Sequence, residues 1–226
     1  MSWILNIDTA VQTASVCLAK DGKKLAVKIN RSQTDHASWL QPAVAALLQE
    51  NDLAIKNIDA FAVTAGPGSY TGLRVGMATA KGFCYALSKP LIFINTLQMM
   101  AVSALMEPES LLCPMIDARR MEVFTAVFDH SLNNIVEPHN LILSENSFIE
   151  LLEKNNVAFF GNGSDKFRGI VSHENAIFKY LETTAEQMVS LSYRSFLNNE
   201  FANLAYCEPL YGKEFFSPAS KKLSNI

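Results

Sequence analysis

Apolar and polar positions fall into blocks whose spacing changes along the chain. Residues 3–8 are mostly apolar, the pattern of a strand buried on both faces. Apolar stretches at 14–19 and 25–29 follow, with Asp21-Gly22 between them as a hairpin turn, so the chain is expected to open as a three-stranded antiparallel meander. After Thr34-Asp35, a helix-start pair, Trp39, Leu40, Ala43, Val44, Leu47 and Leu48 recur at helical spacing up to Asn51. Pro42 lies inside that stretch and is expected to bend the helix or loosen its first turn. A fourth strand is expected over 58–64, a tight break at Gly66-Pro67-Gly68, a second helix over 71–87 and a fifth strand over 91–94.

The order β-β-β-α-β-α-β is that of a ribonuclease H-like unit. A further helix over 97–106 leads away from it. The second half begins alike, with strands at 111–116 and 123–128, a helix at 144–154 capped by Ser144, a short strand at 158–160 and a last helix at 186–197. No internal sequence repeat is visible, but two related α/β lobes fit the lengths. The expected division is 1–100, 101–200 and a closing segment 201–226. Within that segment, Cys207-Glu208-Pro209-Leu210-Tyr211 is apolar enough to dock back on the first lobe.

Composition narrows the function classes. Hydrophobic residues make up 49% and charged residues 18%, an ordinary globular balance that excludes a disordered chain. The formal net charge of −3 argues against a protein that grips nucleic acid unaided, because phosphate neutralisation supplies most of such affinity. Lysines gather only at 20, 23, 24 and 28 and at 221 and 222, read as a charged hairpin and a solvated tail. Cys17, Cys84, Cys113 and Cys207 lie far apart, without the spacing of a zinc site, and are expected to be reduced thiols, mostly buried. No basic leader precedes the first strand and nowhere do eighteen apolar residues run together, so a cytoplasmic location is expected.

The strongest local feature is Ala65-Gly66-Pro67-Gly68-Ser69-Tyr70-Thr71-Gly72-Leu73-Arg74, set between a strand and a helix. It is not a P-loop, because Leu73 follows Gly72 where Lys is required. It is not a dinucleotide fingerprint either: the glycine spacing is one residue too long and the next strand ends in Asn95. Its backbone either holds an anion at the helix start, through Gly68 and Ser69, or makes a plain tight turn. Within the second helix, Gly72, Gly76, Ala80 and Cys84 form one small-residue row, and Ala78, Gly82 and Ala86 another. Interior glycines cost about 1 kcal/mol each against alanine, so close approach of another backbone is expected to offset them. Either both rows pack within the chain, or one meets a helix of a second protein. In the first helix His36, Trp39, Leu40, Ala43 and Leu47 share a broad face beside it, with His36 read as a structural residue rather than a ligand. Asp8 and Thr9 close the first strand. They either touch phosphate or a metal-bound water, or satisfy their own turn. Asp117-Ala118-Arg119-Arg120 holds the equivalent place in the second half, its arginines suited to a carboxylate or phosphate or to a solvated turn. Gly161-Asn162-Gly163-Ser164 admits a nucleotide or makes a strand-to-helix turn.

Together these residues resemble the TsaB (YeaZ) family of the actin-like ATPase (ASKHA) superfold, built of two ribonuclease H-like lobes. The likeness runs through Ile7-Asp8-Thr9-Ala10, His36-Ala37-Ser38-Trp39-Leu40-Gln41-Pro42, the glycine segment as far as Gly76, Ala80-Lys81-Gly82 and Ile116-Asp117-Ala118-Arg119-Arg120. It implies a bacterial tRNA-modification subunit that pairs directly with the paralogue TsaD, which transfers a threonylcarbamoyl group to the adenosine beside the anticodon, with the ATPase TsaE joining the pair. The paralogue carries two metal-binding His residues four apart just after the fifth strand. Thr96 and Met100 stand there in this chain, and a thioether and one hydroxyl do not replace two imidazoles. No catalytic residue and no metal ligand is therefore assigned.

The resemblance implies a non-catalytic scaffold whose first two helices form the partner interface, through His36, Trp39, Leu40, Ala43, Leu47, Gly72, Arg74, Gly76 and Ala80. A bulky residue at Gly76 is expected to abolish pairing and leave the chain folded. Asp8, Thr9, Gly68, Ser69 and Arg119 are the candidate nucleotide or anion contacts. No cofactor is expected on the chain alone, with ATP or ADP entering at the level of the complex. Contact with tRNA is expected to be indirect, and isolated chains to self-pair through the partner face. Relatives commonly end a late strand in Pro-x-Tyr-Leu-Arg, whereas this chain has Pro209-Leu210-Tyr211-Gly212-Lys213. The rival readings are an ATPase or sugar kinase of the same superfold, needing Asp8 and a second acid, and a glycoprotease-like peptidase.

Overall fold

The computed structural model describes residues 1–32, 35–106 and 110–211. The first sheet starts from β1 (Trp3–Asp8), β2 (Ala14–Lys20) and β3 (Lys23–Asn30), the expected meander. After α1 (His36–Gln49), β4 (Ala60–Gly66) pairs parallel to β1, and after α2 (Tyr70–Leu87), β5 (Leu91–Asn95) pairs parallel to β4. The strand order is β3-β2-β1-β4-β5. Side-chain alternation on β1 then decides the layers. Leu5 and Ile7 face α1 and α2, in a core with Leu40, Leu47, Phe61, Val63, Met77 and Ala80, whereas Ile4 faces the opposite layer.

α3 (Thr96–Ser103) leads into a second sheet made of β6 (Ser110–Asp117), β7 (Glu122–Phe128), β8 (Asn134–Ile142), β9 (Asn156–Phe160) and β10 (Ala176–Phe178). Its order, β10-β9-β6-β7-β8, repeats the first sheet's topology: a central strand, a two-strand antiparallel extension on one side and two parallel strands on the other. The two related lobes are thus real in topology, and the architecture is the actin-like one of two ribonuclease H-like halves. α3 is wedged between them, with Met99 in the first sheet's core and Leu97, Met100 and Ala101 in the second's.

Two readings require correction, and Pro42 finds its place in the helix. The helix expected over 144–154 is one turn, α4 (Ile149–Leu152), and Ser144 does not cap it. Phe148 takes a left-handed backbone (φ 64°) and turns its ring onto Phe159 and Phe167, at 5.4 and 5.5 Å between centroids, which stops the helix from starting earlier. The hydrophobic pattern did not show β8 or β10. β8 is an edge strand with most positions exposed, so it carries no buried alternation. Pro42 sits within an unbroken α1 on its exposed side, so the carbonyl it cannot serve, that of Ser38, lies on an exposed residue.

The last helix, α6 (Met188–Leu197), falls within 101–200 yet packs on the first sheet, where Met188, Val189 and Leu191 cover Ile4, Cys17 and Ile92. The chain then crosses to the other layer: Ala202, Leu204 and Cys207 pack on the α1–α2 core, and Leu210 N donates to Ala65 O at 2.6 Å. Gly212 and Lys213 lie outside the described residues, as does Thr34 at the start of α1.

Candidate functional site

The loop after β1 is the hinge on which the site is built. Asp8 is fully buried; its Oδ1 accepts from Ala10 N at 3.0 Å and from Thr64 Oγ1 at 2.8 Å, while Oδ2 has no hydrogen-bond partner among the described residues. Burial outweighs both hydrogen bonds and pushes its carboxyl up to about 6. Thr9 Oγ1 donates to Gly72 O at 2.7 Å, and Ser69 N donates to Ala10 O at 2.7 Å. Ser69 Oγ caps α2 by accepting from Gly72 N at 3.3 Å. These contacts require the start of α2 to lie directly on Thr9. A Cβ at Gly72 would collide with Thr9 O, and one at Gly76 with Thr9 Oγ1.

Outward of this seam lies a cleft of about 1150 Å³ between the two lobes. Gln12, His36, Gly68, Ser69, Tyr70 and Thr71 line it from the first lobe, and Asp117, Arg119, Arg120, Asn140 and Asn162 from the second. The cleft therefore gathers Gly68, Ser69 and Arg119 but not Asp8 or Thr9, which are sealed in the fold beneath. Asp117 Oδ1 accepts from Lys166 Nζ at 2.6 Å and from Arg119 N at 2.5 Å. Partial burial pushes this carboxyl upward, but those partners hold it below the usual carboxylate range. His36 Nδ1 is buried without a partner among the described residues.

The expected interface residues divide by helix face. Leu40, Ala43 and Leu47 lie in the first core, and Gly72, Gly76 and Ala80 are buried against β1 and β4, so none of the six is open to a partner. Trp39 is half-buried on that core, and His36 turns to the cleft. Arg74 alone of the nine is fully open: its guanidinium lies 4.3 Å from the Tyr70 ring, and its Nε donates to Tyr211 Oη at 3.0 Å. The second small-residue row points outward. Ala78 and Ala86 are exposed, a Cβ at Gly82 would meet nothing within 4 Å, and Tyr85 between them is 83% exposed. Sequence pattern marked both rows but could not tell inward from outward. Only the buried Leu73, Met77 and Cys84 on the inward side would have indicated it.

Thr96 and Met100, where the resemblance places the paralogue's two imidazoles, are buried, and Met100 lies in an apolar cluster with Leu97, Ile116 and Phe160. A thioether in an apolar cluster and one hydroxyl do not fit a hard or borderline metal. Among the described residues no three His, Cys, Asp or Glu side chains gather as a metal site, and no helix is long and apolar enough to cross a membrane.

A family model described as TsaD, tRNA N6-adenosine threonylcarbamoyltransferase, matches residues 30–204. The tRNA threonylcarbamoyladenosine biosynthesis protein TsaB of Bacillus subtilis is 28% identical over 202 residues, 87% of either chain. The TsaB protein of Escherichia coli is 27% identical over 219 residues, 92% of this chain and 93% of its own. A solved structure of YeaZ from Pseudomonas aeruginosa superposes with a TM-score of 0.78 at 24% identity, covering 93% of this chain and all of that one. With the shared fold, the matched span and the near end-to-end likeness to both TsaB proteins, the chain belongs to the TsaB (YeaZ) branch of the TsaD threonylcarbamoyltransferase family.

Proposed function

We propose that this chain is a non-catalytic subunit in tRNA threonylcarbamoyladenosine biosynthesis, docking a TsaD protein through the outward faces of α1 and α2, with TsaE joining the pair. One observation carries the docking reading. α1 and α2 pack side by side on the surface, 14 and 18 residues long, yet Arg74 and Lys81 are the only Lys, Arg, Asp or Glu in either. Surface helices ordinarily carry a charged outer face, whereas the core of a protein interface is depleted of charge. Here the exposed positions include Gln41, Pro42, Ala45, Ala78, Gly82 and Tyr85, with Arg74 as the one exposed charge. The small residues let a partner helix approach closely, and Tyr85 supplies an aromatic anchor.

The enzyme readings receive less support from the geometry. An ATPase or kinase of this superfold needs carboxylates facing the cleft, but Asp8 is buried under Thr64 and Ala10, Asp117 is committed to Lys166, and Glu122, which does line the cleft, accepts from Asn140. For a peptidase, no hydrogen bond between described residues joins a Ser or Cys to a His side chain as a nucleophile–base pair.

The test combines the purified chain with TsaD, TsaE, ATP and unmodified tRNA and measures threonylcarbamoylated adenosine. Omitting the chain should abolish product. Ala45→Glu together with Ala78→Glu, both at exposed positions, should reduce product at least tenfold and remove TsaD from the chain's gel-filtration peak. Full stimulation by the double variant would place the docking face elsewhere.

A further inference from the structure

The rim of the cleft carries two arginines, Arg119 and Arg120, beside two carboxylates, Asp117 and Glu122. Arg119 and Arg120 stand on the second lobe, at the turn between β6 and β7, and on the first lobe Arg74 lies outside the lining but against the ring of Tyr70, which is part of it. No hydrogen bond or ion pair holds either Arg119 or Arg120 guanidinium among the described residues. The nearby carboxylates are in part committed: Asp117 bonds to Lys166 at 2.6 Å and Glu122 Oε1 accepts from Asn140 at 2.9 Å, while Glu208 acts on Arg74 through space. Arg74 joins two tyrosines in an aromatic cluster on the first lobe. Tyr70 is 38% exposed, with Arg74 4.3 Å from its centroid and the Tyr211 ring 4.9 Å away.

We infer that this rim, Tyr70 with Arg74, Arg119 and Arg120, directly contacts an unpaired stretch of the RNA substrate, the arginines pairing with phosphates and Tyr70 stacking on a base. The inference rests on the chain acting in tRNA modification, and replaces the expectation that tRNA is met only through a partner. Three features favour a strand over a small polyphosphate. The cleft, at about 1150 Å³, exceeds the roughly 300–1000 Å³ typical of a site for one small molecule. Two amides that would cradle a phosphate at the start of α2 are already used, Ser69 N by Ala10 O and Gly72 N by Ser69 Oγ. The cations are divided between the two lobes, and the cleft that holds Arg119 and Arg120 is also lined by the Tyr70 ring and the side-chain amides of Gln12, Asn140 and Asn162, which suits a backbone that passes phosphates at intervals and presents unstacked bases.

The experiment uses the chain assembled with TsaD and TsaE and follows modification against tRNA concentration. The variant is Arg119→Asn with Arg120→Asn: both positions have positive φ, 69° and 50°, a backbone that Asn adopts readily, so charge is removed without strain. The KM for tRNA should rise about tenfold with kcat within twofold, and the slope of log KM against log salt should fall by about 0.7 for each lost phosphate contact. Tyr70→Ala should raise the KM likewise, while Tyr70→Phe, which keeps the ring face, should raise it less than Ala does. An unchanged tRNA KM in both the arginine and Ala variants overturns the inference, as does a rise in the KM for ATP alone, which would identify a small-anion site. Loss of TsaD from the gel-filtration peak overturns it too, assigning these side chains to a protein interface. If instead the unaltered chain gives no stimulation, it is the subunit reading that fails.

Discussion

At the scale of single residues, Asp8 is the position where burial and charge conflict most. Its carboxyl is pushed from 3.8 to about 6 because the ionised form is buried with one oxygen unpartnered. A raised carboxyl favours the neutral form, so the folded state takes up a proton that the unfolded chain releases between pH 4 and 6. This group's contribution is thus most favourable below about pH 4 and is lost as pH rises through 6. The gap amounts to about 3 kcal/mol at 1.36 kcal/mol per pH unit. Asp8→Asn keeps an oxygen for Ala10 N and Thr64 Oγ1 and removes the charge. It should be more stable than the parent at pH 7.5 by up to about 3 kcal/mol, with the advantage gone near pH 4. Urea unfolding of both proteins across that range checks this, and a constant difference would acquit Asp8. The sequence left Asp8 and Thr9 open between ligand and turn residue. A strand end at a cleft is compatible with both, and the burial of these two residues under α2, which packs onto Thr9 O and Oγ1, depends on contacts that local pattern does not show.

At the scale of elements, α2 shows what periodicity can and cannot reveal. Its two rows of small residues were legible, and so was the need for something to offset the glycines. The row expected at the partner face points inward: a Cβ at Gly76 would meet Thr9 and Val63 inside the chain, while one at Gly82 would meet nothing within 4 Å. Gly76→Leu therefore tests the fold, not docking, and should leave the protein largely insoluble or with a strongly lowered melting point. Gly82→Leu should raise helix stability by up to about 1 kcal/mol, as Gly is replaced on an open face, and still weaken TsaD capture. Melting curves beside pull-down yields separate the two effects; equal behaviour of both variants would contradict the assigned faces. The short α4 and the unseen β8 share a cause with this inversion of faces. Each is decided by contacts distant in sequence, Phe148 on Phe159 and Phe167, or the pairing of β8 with β7, which local pattern does not encode.

At the scale of the whole molecule, two sheets of the same order are joined through one short helix and then tied again by the chain's return. α3 is apolar on several sides because it lies between two cores, and α6 brings the end of the second half onto the first sheet. Ion pairs between Lys24 and Glu186 and between Arg31 and Glu182 secure that return, but all four side chains are substantially exposed and add little. The lobes are thus separable in topology and coupled in packing. Unfolding should show one cooperative transition by both backbone and aromatic circular dichroism. Met100→Ala removes a side chain that is only 3% exposed from the second core and should cost about 2–4 kcal/mol. If α3 couples the lobes, that loss lowers the single transition for the entire chain, including the first sheet, which Met100 does not help to fill. If it does not, hydrogen exchange will show amides of β6 and β7 opening early while those of β1 and β4 keep their protection. Their slowest amides should instead lose protection together, because Met99, one residue away on the same helix, is fixed in the other core and cannot stay seated once α3 leaves.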